Sequence, residues 1–169
     1  MDDRRTQFEL LALPHLDAAY SLARWLSRSS VDAEDIVQEA MLQAFRAFDA
    51  VRSETVRPWL MAIVSNCFHD HSGRTKRQDP AGEAALEHLA FDGPSPEAEA
   101  EGASTRRRLD RMLALLPDDY REVLLLREVE DMSYRQIADA IDAPIGTVMS
   151  RLARARALLK ANWQAEDIQ

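Results

Sequence analysis

The sequence predicts an all-α protein of two small helical domains joined by an acidic flexible linker, and three observations carry that expectation. Only five Gly and seven Pro punctuate 169 residues, too few for a chain of strands and turns, whereas Ala, Leu, Arg and Glu, all good helix formers, abound. Apolar residues recur at three-and-four spacing along most of the chain, the period of a helix with one buried side. Between these stretches, residues 78–103 (QDPAGEAALEHLAFDGPSPEAEAEGA) turn to Pro, Gly, Ala and acid, with too little apolar surface to hold a fold. The expected organisation is a domain over 1–77, a linker over 78–103 and a second domain over 104–169.

Charge follows the same division. Residues 1–77 carry ten basic and eleven acidic groups, 78–105 carry none and seven, and 106–169 carry eleven of each, so nearly all of the net −8 sits in the middle. Two near-neutral domains exert little nonspecific pull on phosphate, so any nucleic acid they read is held weakly without a larger partner. The single cysteine, Cys67, forms no internal disulfide and suits a reducing cytoplasm. The charged start MDDRRTQ is not expected to act as a signal peptide, and no apolar run is long enough to predict membrane insertion. No paired carboxylates, triad or phosphate loop can be assembled, so neither an enzyme nor a bound cofactor or small-molecule substrate is expected.

Taken in order, residues 5–29 are expected to be helical, divided at Pro14 into a short helix and a longer one. The next helix runs from Val31 to Phe48, with Asp32 as the expected N-cap and Glu34 and Asp35 in the first turn. Val37, Met41, Ala44 and Phe48 share a buried face. Asp35, Gln38, Glu39 and Leu42 repeat at three-and-four spacing on another, which periodicity alone leaves as a solvated face. After the loop Asp49–Arg57, Pro58 is expected to start a helix with Trp59, Leu60, Ile63, Val64, Cys67 and Phe68 on its apolar side. Asn66, His69, Asp70, Arg74, Lys76 and Arg77 make its remainder polar. Cys67, His69 and His71 are a weak zinc set, because a helix turns His69 away from the other two and no fourth ligand is in sight; Cys67 reads as a small core residue.

One short helix is expected around 84–90 within the linker. Ser104 is the expected cap of the following helix, and Pro117 opens another, with Asp118 and Asp119 in its first turn. The most informative stretch is Met132–Lys160, MSYRQIADAIDAPIGTVMSRLARARALLK. Ser133 with Gln136 is a capping-box pattern. Asp142, Ala143 and Pro144 stop that helix and begin another, giving the short connection of a helix-turn-helix. In the second helix Val148, Leu152, Ala155 and Leu159 form a buried stripe, while Thr147, Ser150, Arg151 and Arg154 lie roughly opposite. From Gly146 to Lys160 there are three Arg, one Lys and no carboxylate. An exposed Arg near the start of such a helix can pair with a guanine edge in the major groove.

Two stretches in order, DAEDIVQEA with PWLMAIVSNCFHD behind it, then LPDDYREVLLLRE followed by MSYRQIADAIDAPIGTVMSRLARAR, resemble the small extracytoplasmic-function (ECF) group of bacterial sigma factors. That resemblance covers nearly the whole chain apart from tail and linker. It implies an N-terminal module that binds core RNA polymerase and opens the −10 promoter element, and a C-terminal module that reads the −35 element of promoter DNA. On matching positions it implies polymerase contacts at Asp35, Gln38 and Glu39, capture of an unstacked −10 base by the loop Asp49–Arg57, including Arg52 and Arg57, and strand contacts at Trp59, Asn66, Arg74, Lys76 and Arg77. It implies −35 contacts at Arg127, Thr147, Ser150, Arg151 and Arg154, with Arg127 on phosphate and Arg156 and Lys160 as phosphate anchors or plain surface. An anti-sigma factor that covers both modules is implied as the controlling partner.

The chain departs from the pattern at Asp142, where many relatives have Gly, at Met149, a position often basic in the family, and at SGRTKR, which is less densely basic than usual. Two rival readings are a stand-alone helix-turn-helix regulator that binds an operator, usually as a dimer, and a sigma-like decoy that sequesters a regulator. A decoy has no need of an intact reading face.

Overall fold

The computed structural model describes residues 2–51, 53–78 and 100–168, and among them every regular element is a helix. Eight α-helices follow in order: α1 Asp2–Ala12, α2 Leu16–Ser27, α3 Ser30–Arg46, α4 Val56–Gln78, α5 Ala100–Ala114, α6 Asp118–Glu128, α7 Tyr134–Ile141 and α8 Ile145–Asp167. Pro14 lies in a 3-10 turn, Leu13–His15, that separates α1 from α2, so the expected division at this proline is present. The expected linker helix around 84–90 and the loop residue Arg52 lie outside the described residues.

Three expected helix starts are corrected. Ser29, not Asp32, caps α3: its side chain accepts a hydrogen bond from the Asp32 amide at 3.2 Å, which leaves Asp32 the acid of the first turn and moves Glu34 and Asp35 past it. Ser29 reaches this position because Arg28 takes a left-handed conformation (φ 59°) and ends α2 abruptly. The fourth helix begins at Val56, two residues before Pro58; a proline is tolerated there because first-turn amides have no partner within the helix. The fifth begins at Ala100, so Ser104 sits inside it rather than capping it.

Helices α2, α3 and α4 pack on one another, with α1 laid across α4. Phe8 ties α1 to the end of α3 through edge-on contacts with Phe45 and Phe48, centroids 5.2 and 5.3 Å apart, a geometry that ring quadrupoles favour. In the C-terminal half, α8 packs against α5, α6 and α7. The two halves also meet: α4 lies against α7, and α2 against α5 and α6. Buried residues from Phe8 to Ala155 therefore form one continuous core. Helix α6 is its centre, with all six residues from Arg121 to Leu126 buried, as expected for a helix enclosed on every side.

Candidate nucleic-acid interface

The helix-turn-helix is built as its sequence dictates. Ser133 accepts from the Gln136 amide at 3.1 Å while the Gln136 side chain accepts from the Ser133 amide at 2.9 Å, completing the capping box at the start of α7. Asp142 closes α7 in the left-handed region (φ 52°, ψ 52°), a conformation that Asp tolerates better than most residues with a Cβ. Pro144, extended at φ −61° and ψ 149°, is the N-cap of α8. Val148, Leu152 and Ala155 then point inward, almost fully buried.

The outward side of α8 brings together Thr147, Ser150, Arg151 and Arg154. Ser150 and Arg154 are exposed and Thr147 and Arg151 half-buried. The Ser150 hydroxyl donates to the Thr147 carbonyl at 3.1 Å, which parks it on its own helix. Arg151 lies 3.8 Å from Asp119, whereas Arg154 makes no ion pair among the described residues. Gly146, with open space where a Cβ would be, borders a face free of carboxylates.

Arg156 is not part of this face. It stands nine residues after Thr147, about 180° round the helix at ~100° per residue, and its guanidinium bonds Glu128 at 2.6 and 3.1 Å. Arg127 is turned into the connection between α6 and α7. It donates to the Met132 carbonyl at 2.8 Å and lies 4.8 Å from the centre of the Tyr134 ring, bracing a turn in which Asp131 has φ 52°.

In the N-terminal half, Asp35, Gln38 and Glu39 are exposed together on α3, with Gln43 donating to Glu39 at 2.9 Å. Val31 and Leu42 are exposed beside them, at 67% and 53%, so this acidic face has an apolar lining that solvent alone does not explain. On α4, Trp59 and exposed Asn66 are seven residues apart and share one side; Trp59 packs in part on the core, 6.5 Å from Phe48. Arg57 is turned ~160° away from Trp59 and pairs with the buried carboxylate of Glu130 at 3.0 Å. The side chains of Arg74, Lys76 and Arg77 lie outside the described residues. Cys67 is buried in the core. His69 and His71 are each held by a carboxylate, Glu122 and Asp32 respectively.

Sequence reasoning missed the residues that join the halves: Arg28, Ser65, His69, Arg121, Glu122 and Glu130. One signal was present. In REVLLLRE, apolar residues fall on every side of the helix, so Arg121 and Glu122 have no solvated face to occupy.

Comparison with known proteins identifies the family of each half. The sigma-70 region 2 family matches residues 11–78, and the sigma-70 region 4 family matches residues 106–159. An ECF RNA polymerase sigma-E factor of Haemophilus influenzae is 32% identical over 85% of this chain and 79% of its own length. RNA polymerase sigma-H factor of Pseudomonas aeruginosa is 31% identical over 91% of this chain and 84% of its own. The fold is shared with the sigma factor RpoE of Bartonella quintana, solved in complex with the anti-sigma factor NepR (TM-score 0.74, 24% identity, 97% of this chain and 98% of that one). It is also shared with CnrH in complex with the cytosolic domain of CnrY (TM-score 0.65). Both regions occur in family order, and they frame the two exposed faces found on α3 and α8. Since the match to the relatives runs nearly end to end, the chain belongs to the ECF sigma factors of RNA polymerase.

Proposed function

We propose that the chain directs core RNA polymerase to a set of promoters by binding, with no covalent chemistry of its own. The region up to residue 77 docks on the polymerase through Asp35, Gln38 and Glu39 and engages the −10 element. The stretch 78–103 threads a basic polymerase channel, and the region from 104 reads the −35 element. The observation that carries this reading is the outward face of α8, where Thr147, Ser150, Arg151 and Arg154 stand together behind a capped, tightly turned partner helix, the arrangement that places side chains on base edges.

Arg127 and Arg156 serve phosphate only after giving up the Met132 carbonyl and Glu128, so the reading rests on the other four. For the −10 element, Trp59 and Asn66 offer one common face; Arg52, Arg74, Lys76 and Arg77 are the further cations proposed to contact it, and Arg57 joins them only by leaving Glu130. Two weakly binding modules gain affinity by sharing the polymerase as a platform, because the second contact becomes intramolecular. The site of action is the cytoplasm; among the described residues no helix is long and apolar enough to cross a membrane. An anti-sigma protein is the proposed controlling partner, supported by the anti-sigma complexes in which proteins of the same fold were solved.

The test is run-off transcription with core polymerase over a promoter library. Initiation at promoters sharing both elements is the expected result. Specific, salt-sensitive operator binding without polymerase would favour the stand-alone regulator instead.

A further inference from the structure

Arg4, in the first turn of α1, reaches across 41 residues of sequence to the end of α3. Its Nη2 donates to the carbonyls of Phe45 and Arg46 at 2.8 and 3.0 Å, and carbonyls at a helix end have no partner within the helix. A cation there also meets the negative end of the helix dipole. The same guanidinium lies 5.2 Å from the centre of the Phe45 ring, and its Nε is 2.8 Å from Oδ1 of Asp49, just past the helix. One turn along α1 and on the same side, Phe8 stands edge-on to Phe45 and Phe48, and Phe48 in turn lies 6.5 Å from Trp59. Helix α1 thus holds Phe45, Arg46, Phe48 and Asp49, the stretch where the chain leaves α3 for the loop Asp49–Arg57. The far side of that loop is anchored separately, by Val56, which is fully buried at the start of α4.

We propose that Arg4 is a positioning residue for −10 recognition: it fixes the direction in which the chain leaves α3, and with it the place where an unstacked base is received. The proposal rests on the reading of the loop Asp49–Arg57 as the receiver of that base. Its physical basis is that contacting groups select among bases only when they are held in place before the base arrives; ordering them at the moment of binding costs affinity. Asp49 is exposed, so the first residue of the loop is held by its ion pair and not by burial. Charge points the same way. An unpaired carboxylate at Asp49 repels the phosphates on either side of the captured base, and Arg4 offsets it within the distance over which salt leaves such charges unscreened. Arg4 acts through Asp49 and the end of α3, with no contact to the base of its own. Most of α1 lies ahead of residue 11, where the match to sigma-70 region 2 begins, so this assigns a part in promoter reading to a helix outside that match.

The experiment is run-off transcription by the full chain with core polymerase, on promoters that differ at one base of the −10 element or at one base of the −35 element. Arg4→Gln should reduce the preference among −10 bases about fivefold, the scale on which charged hydrogen bonds act at a partly exposed site. Preference among −35 bases, and capture of core polymerase in a pull-down, should stay at the wild-type level. Arg4→Lys keeps the charge without the planar fork and should restore only part of the preference. Asp49→Asn attacks the same contact from an exposed side chain, where the fold is not at risk, and should lower −10 preference by itself. Combined with Arg4→Gln it should cost no more than Arg4→Gln alone, because both act through one contact. Wild-type −10 preference in Arg4→Gln overturns the proposal, and so does full restoration by lysine, which would make charge sufficient without geometry. Equal losses at −10 and −35, or single losses that multiply in the double variant, overturn it too. A wild-type protein that initiates at these promoters with no preference among −10 bases overturns instead the reading of the loop on which the proposal rests.

Discussion

His69 Nε2 sits 2.9 Å from both carboxylate oxygens of Glu122, across the boundary between the two halves. The hydrogen bond to Glu122 raises the pKa of this histidine; partial burial opposes the shift, and the charges of Glu122, Asp119 and Asp118 on α6 add to it. Along the rest of α4, Arg57 faces Glu130 and His71 faces Asp32, and on its own helix His69 has the Phe68 ring 5.3 Å away. A folded pKa above the unfolded one means that the imidazolium stabilises the fold fully below the unfolded value, near 6.5, and that this contribution is lost as pH rises through the folded value. The difference in thermal midpoint between wild type and His69→Gln should therefore be largest near pH 5.5 and shrink on the alkaline side of neutrality. A difference independent of pH between 5.5 and 9 contradicts a charged His69. His69 is about half exposed, so solvent screens the pair and keeps the effect modest.

Arg154 stands in the middle of the outward face of α8, exposed and without an ion pair among the described residues. Its neighbour Arg151 is near Asp119 and has a carboxylate to leave before it can meet a base. Arg154→Ala should cost about 1–3 kcal/mol of discrimination between −35 sequences and leave the thermal midpoint unchanged. Equal transcription by the variant from wild-type and scrambled −35 elements is the expected pattern. If the wild-type protein itself is indifferent to −35 mutations, the reading face lies elsewhere.

Asp35 and Glu39 are a turn apart on α3, exposed, with Leu42 beside them. Because neither holds an ion pair among the described residues, reversing their charge tests binding without disturbing packing. Asp35→Lys with Glu39→Lys should abolish capture of core polymerase in a pull-down while the helical circular dichroism signal stays at the wild-type level. Undiminished capture would move the docking face to another helix.

Much of this architecture was legible in the residues, and the reasons differ from place to place. Ser133 and Gln136 act within a single turn, so their reciprocal hydrogen bonds follow from spacing alone, and the same holds for Pro14 between α1 and α2. Ser29 escaped notice because Asp32, three residues on, is as good a cap by type, and only the left-handed turn at Arg28 decides between them. The outward faces of α3 and α8 could be drawn from periodicity, but a face is not a site, and no spacing shows that Arg127 turns to the Met132 carbonyl or that Arg156 pairs with Glu128. The interface between the halves was illegible for a stronger reason: its contacts join residues 53–95 positions apart, and nothing local in Arg28, Ser65 or His69 indicates that a buried carboxylate or carbonyl awaits them.

Arg121 offers the sharpest test of that interface. The residue is 1% exposed and its guanidinium serves three acceptors at once: the Leu116 carbonyl at 3.0 Å, the Leu26 carbonyl at 3.2 Å and Asp118 at 2.6 Å. Asp118 is more than half exposed, so removing the cation lets water take over that carboxylate. Leu26 and Leu116 are buried, and their carbonyls lose a charged donor in a place water reaches poorly. Arg121→Met, which keeps most of the stem, should therefore lower the unfolding free energy by about 3–6 kcal/mol, the scale of two hydrogen bonds to a charged donor. Arg121→Lys should recover only part of this, because an ammonium on a flexible stem does not reproduce the planar fork that spans three separated acceptors. Urea denaturation of the three proteins gives the comparison directly. Lysine at full wild-type stability would mean that charge alone is required at position 121, and that the bond from Arg121 to the Leu26 carbonyl contributes nothing to holding the halves together.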